Sequence, residues 1–361
     1  MDMRIDRRCV DGLCIDGLGL NRLRRALPKA VAAVVVAAVA FGLTGGTAGA
    51  QDQNYSLATG SVGGTYYPVG VALSTLIKVR LQPQQGINMS AINSAGSGEN
   101  VRLLREGTAQ LAILQGLFGF YAVEGSGPME TDGEQEHLRS VTVLWANVEH
   151  FLVERQHATT GTIADLIEMQ GQPMAMGRQN SGTIGSNRMI LGNLGVDMDE
   201  AYELVYLGYG PSAEALQSGD VAGMSTPAGA PVAAVTRAFA AMGDDIALLE
   251  FTPEQATEAD GGTGIWSPYV IAAGTYPGLD REINTVAQPN FLAAHADVPE
   301  EDIYMITRTI YENLPFLQNI HPATQAMALE TAIVGLPAPL HPGALRYLEE
   351  KGVEIPDRLR P

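Results

Sequence analysis

Leu57-Ala-Thr-Gly-Ser-Val-Gly-Gly-Thr-Tyr-Tyr-Pro-Val-Gly70 is the stretch that decides the fold. Tyr55 to Ala58 is a short apolar run that reads as a strand. Thr59, Gly60, Ser61, Gly63, Gly64 and Thr65 form a loop. A helix follows, with Pro68 suited to its first turn and Val69, Ala72, Leu73, Leu76 and Ile77 on one face. A strand feeding a Gly-rich loop and a helix start presents free backbone N–H groups at the positive end of a helix dipole. That arrangement suits an anion. It is common in α/β proteins, so its weight depends on whether it recurs.

It does recur. Ile87 to Asn93 alternates as a strand, Ser94-Ala-Gly-Ser-Gly98 is its loop, and Glu99 to Glu106 its helix, with Ser97 as a natural N-cap. Gly107 stops that helix, and Leu111-Ala-Ile-Leu114 and Ser140 to Ala146 read as further strands. A second set begins after Glu149. Phe151 to Val153 is a strand. Thr162 caps a short helix to Met169, and Pro173 to Met176 is a buried strand. Gly177-Arg-Gln-Asn-Ser-Gly-Thr183 leads into a helix from Ile184 to Leu194, stopped by Gly195. Leu204 to Leu207 is a strand, followed by Gly208-Tyr-Gly-Pro-Ser212, with Ser212 capping a helix. Thr226 to Pro231 leads into another helix through Ala240. Alternation at this spacing predicts an α/β fold with right-handed crossovers, and ligands in such sheets sit at the loops beyond the strands' carboxyl ends. Two sets make two lobes. At least four helix starts, after Gly64, Gly98, Gly182 and Pro211, are placed to meet in a cleft between them. Toward the end, Tyr269 to Ala273 and Thr285 to Ala294 are strand-like and expected to recross between lobes, and His341-Pro-Gly-Ala-Leu345 opens a last helix that ends near Gly352.

Residues 1–50 read as a leader. Arg22, Arg24, Arg25 and Lys29 precede an apolar run from Ala30 to Leu43, and Ala48-Gly-Ala50 closes it. A basic segment, a short apolar segment and small residues at a cleavage point make a signal peptide, with cleavage expected near Ala50/Gln51. The run is shorter than the roughly 20 residues a bilayer span needs. Removing the leader's 7 basic and 4 acidic residues leaves 15 basic and 36 acidic, a net charge of −21. That balance argues against nucleic acid or an anionic membrane surface as partner. Both cysteines, Cys9 and Cys14, lie in the leader, which leaves the mature chain no disulfide, thiol nucleophile or thiolate metal site.

Thr59-Gly-x-x-Gly-Gly-Thr-Tyr-Tyr-Pro68 closely resembles the opening motif of the TAXI family, the TRAP-associated extracytoplasmic solute receptors. The resemblance continues through Ser97-Gly-Glu-Asn100, Asn180-Ser-Gly-Thr183, Ala228-Gly-Ala-Pro231, Ala273-Gly-Thr-Tyr-Pro277 and Leu340-His-Pro-Gly-Ala344. It implies a two-lobed periplasmic binding protein of the type II kind, with two mixed sheets flanked by helices and a ligand cleft and hinge between lobes. Residues 51–146 with 284–361 are expected as lobe 1 and 147–283 as lobe 2. The implied function is to deliver a solute to a tripartite ATP-independent (TRAP) membrane permease. The implied solutes are glutamate, glutamine or dicarboxylates such as 2-oxoglutarate, with no cofactor and no metal. Two departures fall near the expected cleft. Gln115-Gly116 stands where the family often carries an acid, and Arg178-Gln179 where small residues are usual.

The ligand-binding residues expected on these grounds are Gly60, Gly64, Thr65, Tyr66, Tyr67, Ser97, Asn100, Gln115, Arg178, Ser181, Gly182, Thr183, Tyr209 and Gly229. Several keep a plainer reading beside the functional one. Consecutive helical residues point about 100° apart, so one of Tyr66 and Tyr67 is expected in the cleft. Thr65, Ser97, Ser181 and Thr183 either donate to a carboxylate or cap their helices. Arg178 either pairs with the ligand or is a surface arginine. Trp145 and Trp266 read as hinge packing. An enzyme on the same fold is the rival class, but the six histidines are scattered with no metal-binding spacing, and no Gly-x-Ser-x-Gly elbow is present. A periplasmic sensor partner that binds the same solute and docks on a kinase is a further alternative.

Overall fold

The computed structural model describes residues 52–361, so the leader expected at 1–50 lies outside the described residues. In chain order the strands are β1 (Gln53–Ala58), β2 (Ile87–Ile92), β3 (Leu111–Gln115), β4 (Leu138–Val148), β5 (Phe151–Glu154), β6 (Pro173–Ala175), β7 (Glu203–Leu204), β8 (Gly223–Ser225), β9 (Ile246–Leu248), β10 (Ser267–Ile271) and β11 (Ile283–His295). They form two mixed sheets. The first runs β10-β11-β3-β1-β2, with β4 also paired to β11; the second runs β7-β6-β8-β5-β9.

β1 lies parallel between β2 and β3. The connections are the helices Tyr66–Gln85 and Ser97–Arg105. Strands covered on both faces need continuous apolar runs. Leu111, Ala112, Ile113 and Leu114 provide one, each with no exposed surface. The helix Tyr66–Gln85 buries Val69, Ala72, Leu73, Leu76 and Ile77, the face read from the spacing. Full burial of each of these larger side chains is worth about 1.5–3 kcal/mol. The helix ends at Gly86, whose φ of 69° puts it in the left-handed region while its N–H bonds Gln82 O. Thr162 caps the turn Ile163–Glu168, accepting from Ala164 N.

Two helix starts differ from their sequence reading. Ser97 was the expected cap of one, yet that helix runs Ser97–Arg105 with Gly96 at the N-cap and no side-chain cap. Ser212 was the expected cap of the other, yet the helix runs Tyr209–Ser218 with Gly208 at the N-cap. Pro211 falls inside the first turn, where a missing N–H costs nothing because no intrahelical acceptor faces it. Ser212 Oγ instead donates back to Gly208 O at 3.0 Å.

The chain leaves the first sheet through Glu149 and His150, the two residues between β4 and β5. It returns between β9 and β10, past the helix Pro253–Asp260. β10 and β11 then pair antiparallel within the first sheet. The long strands β4 and β11 pair along most of their length, with register shifts at Asn290/Phe291 and Leu292/Ala293. These strands bring Trp145, Asn147, Gln288 and Asn290 up to the boundary between the two sheets.

Candidate functional site

Four helices begin at one cavity. Tyr66–Gln85 and Ser97–Arg105 come from the lobe of the first sheet, Gly182–Asn193 and Tyr209–Ser218 from that of the second. The cavity is lined by Gly64, Thr65 and Tyr66, by Gly96 and Ser97, by Ser181, Gly182 and Thr183, and by Gly208 and Tyr209. Gln115 and Asn147, at the ends of β3 and β4, close its floor. The enclosed space is about 40 Å³, room for roughly three water-sized spheres at about 10–15 Å³ each. Three of the four helices carry no side-chain cap of their own, although Glu99 N bonds Asn180 O and Tyr209 N bonds Ser61 Oγ. Each helix start acts as about half a positive elementary charge.

Eleven of the fourteen residues expected at the cleft line this cavity: Gly60, Gly64, Thr65, Tyr66, Ser97, Gln115, Arg178, Ser181, Gly182, Thr183 and Tyr209. Tyr67, Asn100 and Gly229 do not. Tyr67 is the member of the tyrosine pair that stays out. Asn100 lies beneath the loop, donating to Thr59 O at 2.7 Å and Ile113 O at 2.9 Å and accepting from Ser94 Oγ. Gly229 stands behind the wall, where its carbonyl accepts from Thr65 Oγ1 across the lobes at 2.8 Å. The residues that sequence reasoning missed include Ser61, Gly96, Asn147, Leu207, Pro227 and Ala228. Ser61 sits in the opening loop and Asn147 near a strand's carboxyl end, so both carried a usable signal. Leu207, Pro227 and Ala228 carried none.

The hydroxyls divide their work. Ser181 is a cap, its Oγ accepting from Ile184 N at 3.2 Å and donating to Arg178 O at 2.6 Å. Ser97 Oγ accepts from Gln115 N. Thr65 makes no cap and reaches the other lobe. Thr183 Oγ1 lies 2.7 Å from Tyr209 OH, which donates to Pro227 O at 2.7 Å, so the threonine hydroxyl donates to the tyrosine oxygen. Tyr66 OH donates to Asn290 Oδ1, and its ring meets Trp145 edge-on at 6.1 Å. Burial pushes both the Tyr66 and Tyr209 phenols far above their ordinary range, so both remain neutral donors.

Gln115 crosses the cleft. Its Nε2 donates to Gly182 O at 3.0 Å and Ser186 Oγ at 2.8 Å. Its Oε1 lies 2.4 Å from where a Cβ on Gly182 would stand, so only glycine permits this approach. Arg178 is the one charged residue among the described lining residues. It is exposed at the rim, with Nη1 3.3 Å from Ser94 O.

Behind the cavity, in the two-residue crossing, Glu149 is buried. Its Oε1 accepts from Trp266 Nε1 at 3.2 Å, and Oε2 has no hydrogen-bond partner. Burial raises its pKa to about 8, partly offset by Trp266 and the Gln288 amide. Its charge bears on both Tyr66 and Tyr209. His150 beside it is buried and held down to about 4. Its Nδ1 lies 2.8 Å from Val148 O and its Nε2 2.7 Å from Tyr276 OH, which fits a neutral ring donating from Nδ1. Trp266 packs at this crossing, whereas Trp145 packs against Tyr66 and Gly229.

The surroundings can hold a small anion through neutral donors and dipoles. No group of three or more histidine, cysteine or acidic side chains placed to hold a metal ion occurs among the described residues. No helix among them is long and apolar enough to cross a membrane.

Among solved structures, a protein of Bordetella bronchiseptica RB50 superposes with a TM-score of 0.50 at 15% identity, over 84% of this chain and 85% of that one. MatC from Rhodopseudomonas palustris with bound malate gives 0.48 at 15% identity, over 83% and 96%. The alkanesulfonate-binding protein SsuA from Xanthomonas axonopodis pv. citri, bound to MOPS, gives 0.43 at 13%, over 83% and 84%. What the chain shares with the Bordetella protein is the fold. The model of the NMT1-like family matches residues 57–352, most of the chain, and the chain belongs to that family.

Proposed function

We propose that this protein is a non-catalytic extracytoplasmic receptor that holds a small carboxylate between its lobes and presents it to a tripartite ATP-independent (TRAP) permease. The observation that carries the reading is the meeting of four helix N-termini, two from each lobe, at one cavity whose walls carry hydroxyls and amides but no carboxylate. A carboxylate there accepts N–H and O–H bonds from both lobes, and so favours the closed arrangement by its differential affinity. The candidate contacts are the backbone around Gly64, Ser97, Gly182 and Tyr209 and the hydroxyls of Thr65, Tyr66 and Thr183, each of which would turn its one proton from its present acceptor (Gly229 O, Asn290 Oδ1 and Tyr209 OH) to the ligand. The permease partner and the TAXI assignment rest on the motifs quoted from the sequence. The periplasmic location rests on the leader, and the lobe boundaries near residues 147 and 284 on the same reading.

The test is a thermal-shift panel on residues 51–361 with glutamate, glutamine, 2-oxoglutarate, other dicarboxylates and neutral sugars. A ligand at about 100 times its Kd adds roughly 2.7 kcal/mol to the folded state. Stabilisation by carboxylates alone is the expected result, with the ligand recovered chemically intact. Stabilisation by sugars alone would discard the dipole-held anion.

A further inference from the structure

We propose that the cleft mouth holds an outer anion subsite, formed by Arg178 and Arg237, that takes a second anionic group of a ligand whose first carboxylate sits in the inner cavity. The inference rests on the receptor reading above and extends it to a residue outside the inner cavity.

Outside the small cavity lies a vestibule of about 930 Å³ that shares Ser61, Arg178 and Gly208 with it. Its walls come from both lobes: Val62, Asn93 and His321 on one side, Arg178, Gly210 and Arg237 on the other. The cations of this acidic chain are mostly engaged. Among the described residues seven arginines pair with carboxylates. Arg139, Arg155 and Arg358 donate to backbone carbonyls. Arg237 has neither an ion pair nor a hydrogen bond, and Arg178 has only its long contact to Ser94 O. The one carboxylate in the vestibule, Glu214, pairs with neither.

The two guanidiniums flank one helix start. Arg178 Cδ lies 3.5 Å from the point a Cβ on Gly208 would occupy, and Arg237 Nη2 lies 3.0 Å from the corresponding point at Gly210. Both therefore hang over the first turn of Tyr209–Ser218, the helix whose start also faces the inner cavity. A sequence with a net charge of −18 repels anions at long range. Two unpaired guanidiniums over a helix N-terminus reverse that locally, and a planar fork suits a carboxylate, sulfonate or phosphate.

Calorimetric titration with two matched pairs of probes tests this: glutamate against glutamine, and succinate against succinamate. Each pair keeps its shape and loses one charge. Arg237→Gln is expected to weaken the dianionic member of a bound pair roughly fivefold, the scale of a partly exposed ion pair. The amide member should be unchanged, and the difference should shrink as salt rises. Arg80→Gln, which removes the same charge from outside both cavities, should leave every affinity as it was. An Arg237→Gln effect equal on both members of a pair, or absent from both, overturns the subsite while leaving the receptor intact. Binding of none of the probes by the wild-type protein removes the small-carboxylate reading of the inner cavity and this subsite with it.

Discussion

Replacing Glu149 by glutamine should make the protein more stable above neutral pH, by an amount that grows with pH. Glu149 is buried in the two-residue crossing, with one oxygen bonded to Trp266 Nε1 and the other unpartnered. Burial lifts its pKa from 4.5 to about 8. Between those values the folded protein holds a proton that the unfolded chain has released. Stability contributed by this group is therefore complete below pH 4.5 and is lost progressively as pH rises through 8. At ~1.4 kcal/mol per pH unit, the whole window amounts to about 5 kcal/mol, and the part between pH 6.5 and 8 to about 2 kcal/mol. Glutamine keeps the acceptor for Trp266 and has no charge to lose. His150, held down to about 4 by burial, works in the opposite sense, but only at lower pH. It cancels when variant and wild type are compared. Urea unfolding of both proteins at pH 6.5, 7.25 and 8 reads the difference. Curves that stay parallel across that range, with no widening gap in favour of Glu149→Gln, would refute the assignment of a buried neutral acid to the crossing.

Two further substitutions probe the cleft. Gln115→Glu removes the donors to Gly182 O and Ser186 Oγ and puts a negative charge on the cavity floor. Leaving those acceptors unmet costs about 1–3 kcal/mol, so calorimetry should show a loss of carboxylate affinity of about fivefold or more, and unchanged affinity would take Gln115 out of the site. Gly98→Ala places a Cβ 2.6 Å from Asn180 O of the other lobe and 3.0 Å from Phe118 Cε1. Overpacking of that kind costs roughly 1–3 kcal/mol, and here it falls on the closed arrangement. Ligand should bind on the order of tenfold more weakly while the melting point without ligand stays put, and equal affinity would mean that closure at this point is not part of binding.

What the sequence disclosed follows from where each signal resides. Strand–loop–helix units repeat locally, so the helix starts after Gly64 and Gly182 could be read from glycine, hydroxyl and apolar spacing alone. Three expected residues lie off the cavity for different reasons. Tyr67 points about 100° from Tyr66 on the helix, Asn100 is held beneath the loop by Thr59 O and Ile113 O, and Gly229 has no side chain and meets Thr65 through its carbonyl. The helix Gly116–Glu124 escaped because its buried residues, Leu117, Phe118, Gly119 and Ala122, leave no amphipathic stripe to read. Glu149 escaped because an acid beside a histidine looks like surface. Its burial comes from Trp266, more than a hundred residues away. Asn147 and Arg237 likewise gain their meaning only when the second set of units folds against the first.

The lobes are joined by polar contacts and by Phe118, which packs against Gly185 of the other lobe. Thr65 Oγ1 donates to Gly229 O at 2.8 Å, Glu99 N to Asn180 O at 2.8 Å, and Tyr209 N to Ser61 Oγ at 3.0 Å, beside the two bonds of Gln115. Each exchanges a bond to water for one within the protein and is worth about 0.5–1.5 kcal/mol net. Moving a two-state equilibrium from 1:99 to 99:1 takes about 5.5 kcal/mol of differential affinity. Four helix starts each contribute up to ~2 kcal/mol to an anion in a partly buried setting, so the two added on closure supply up to about 4 kcal/mol of that differential. An anion held by one lobe meets two of them. On the proposed receptor reading, a cavity on the boundary and not within either lobe is what would let a bound anion bias the two lobes toward each other.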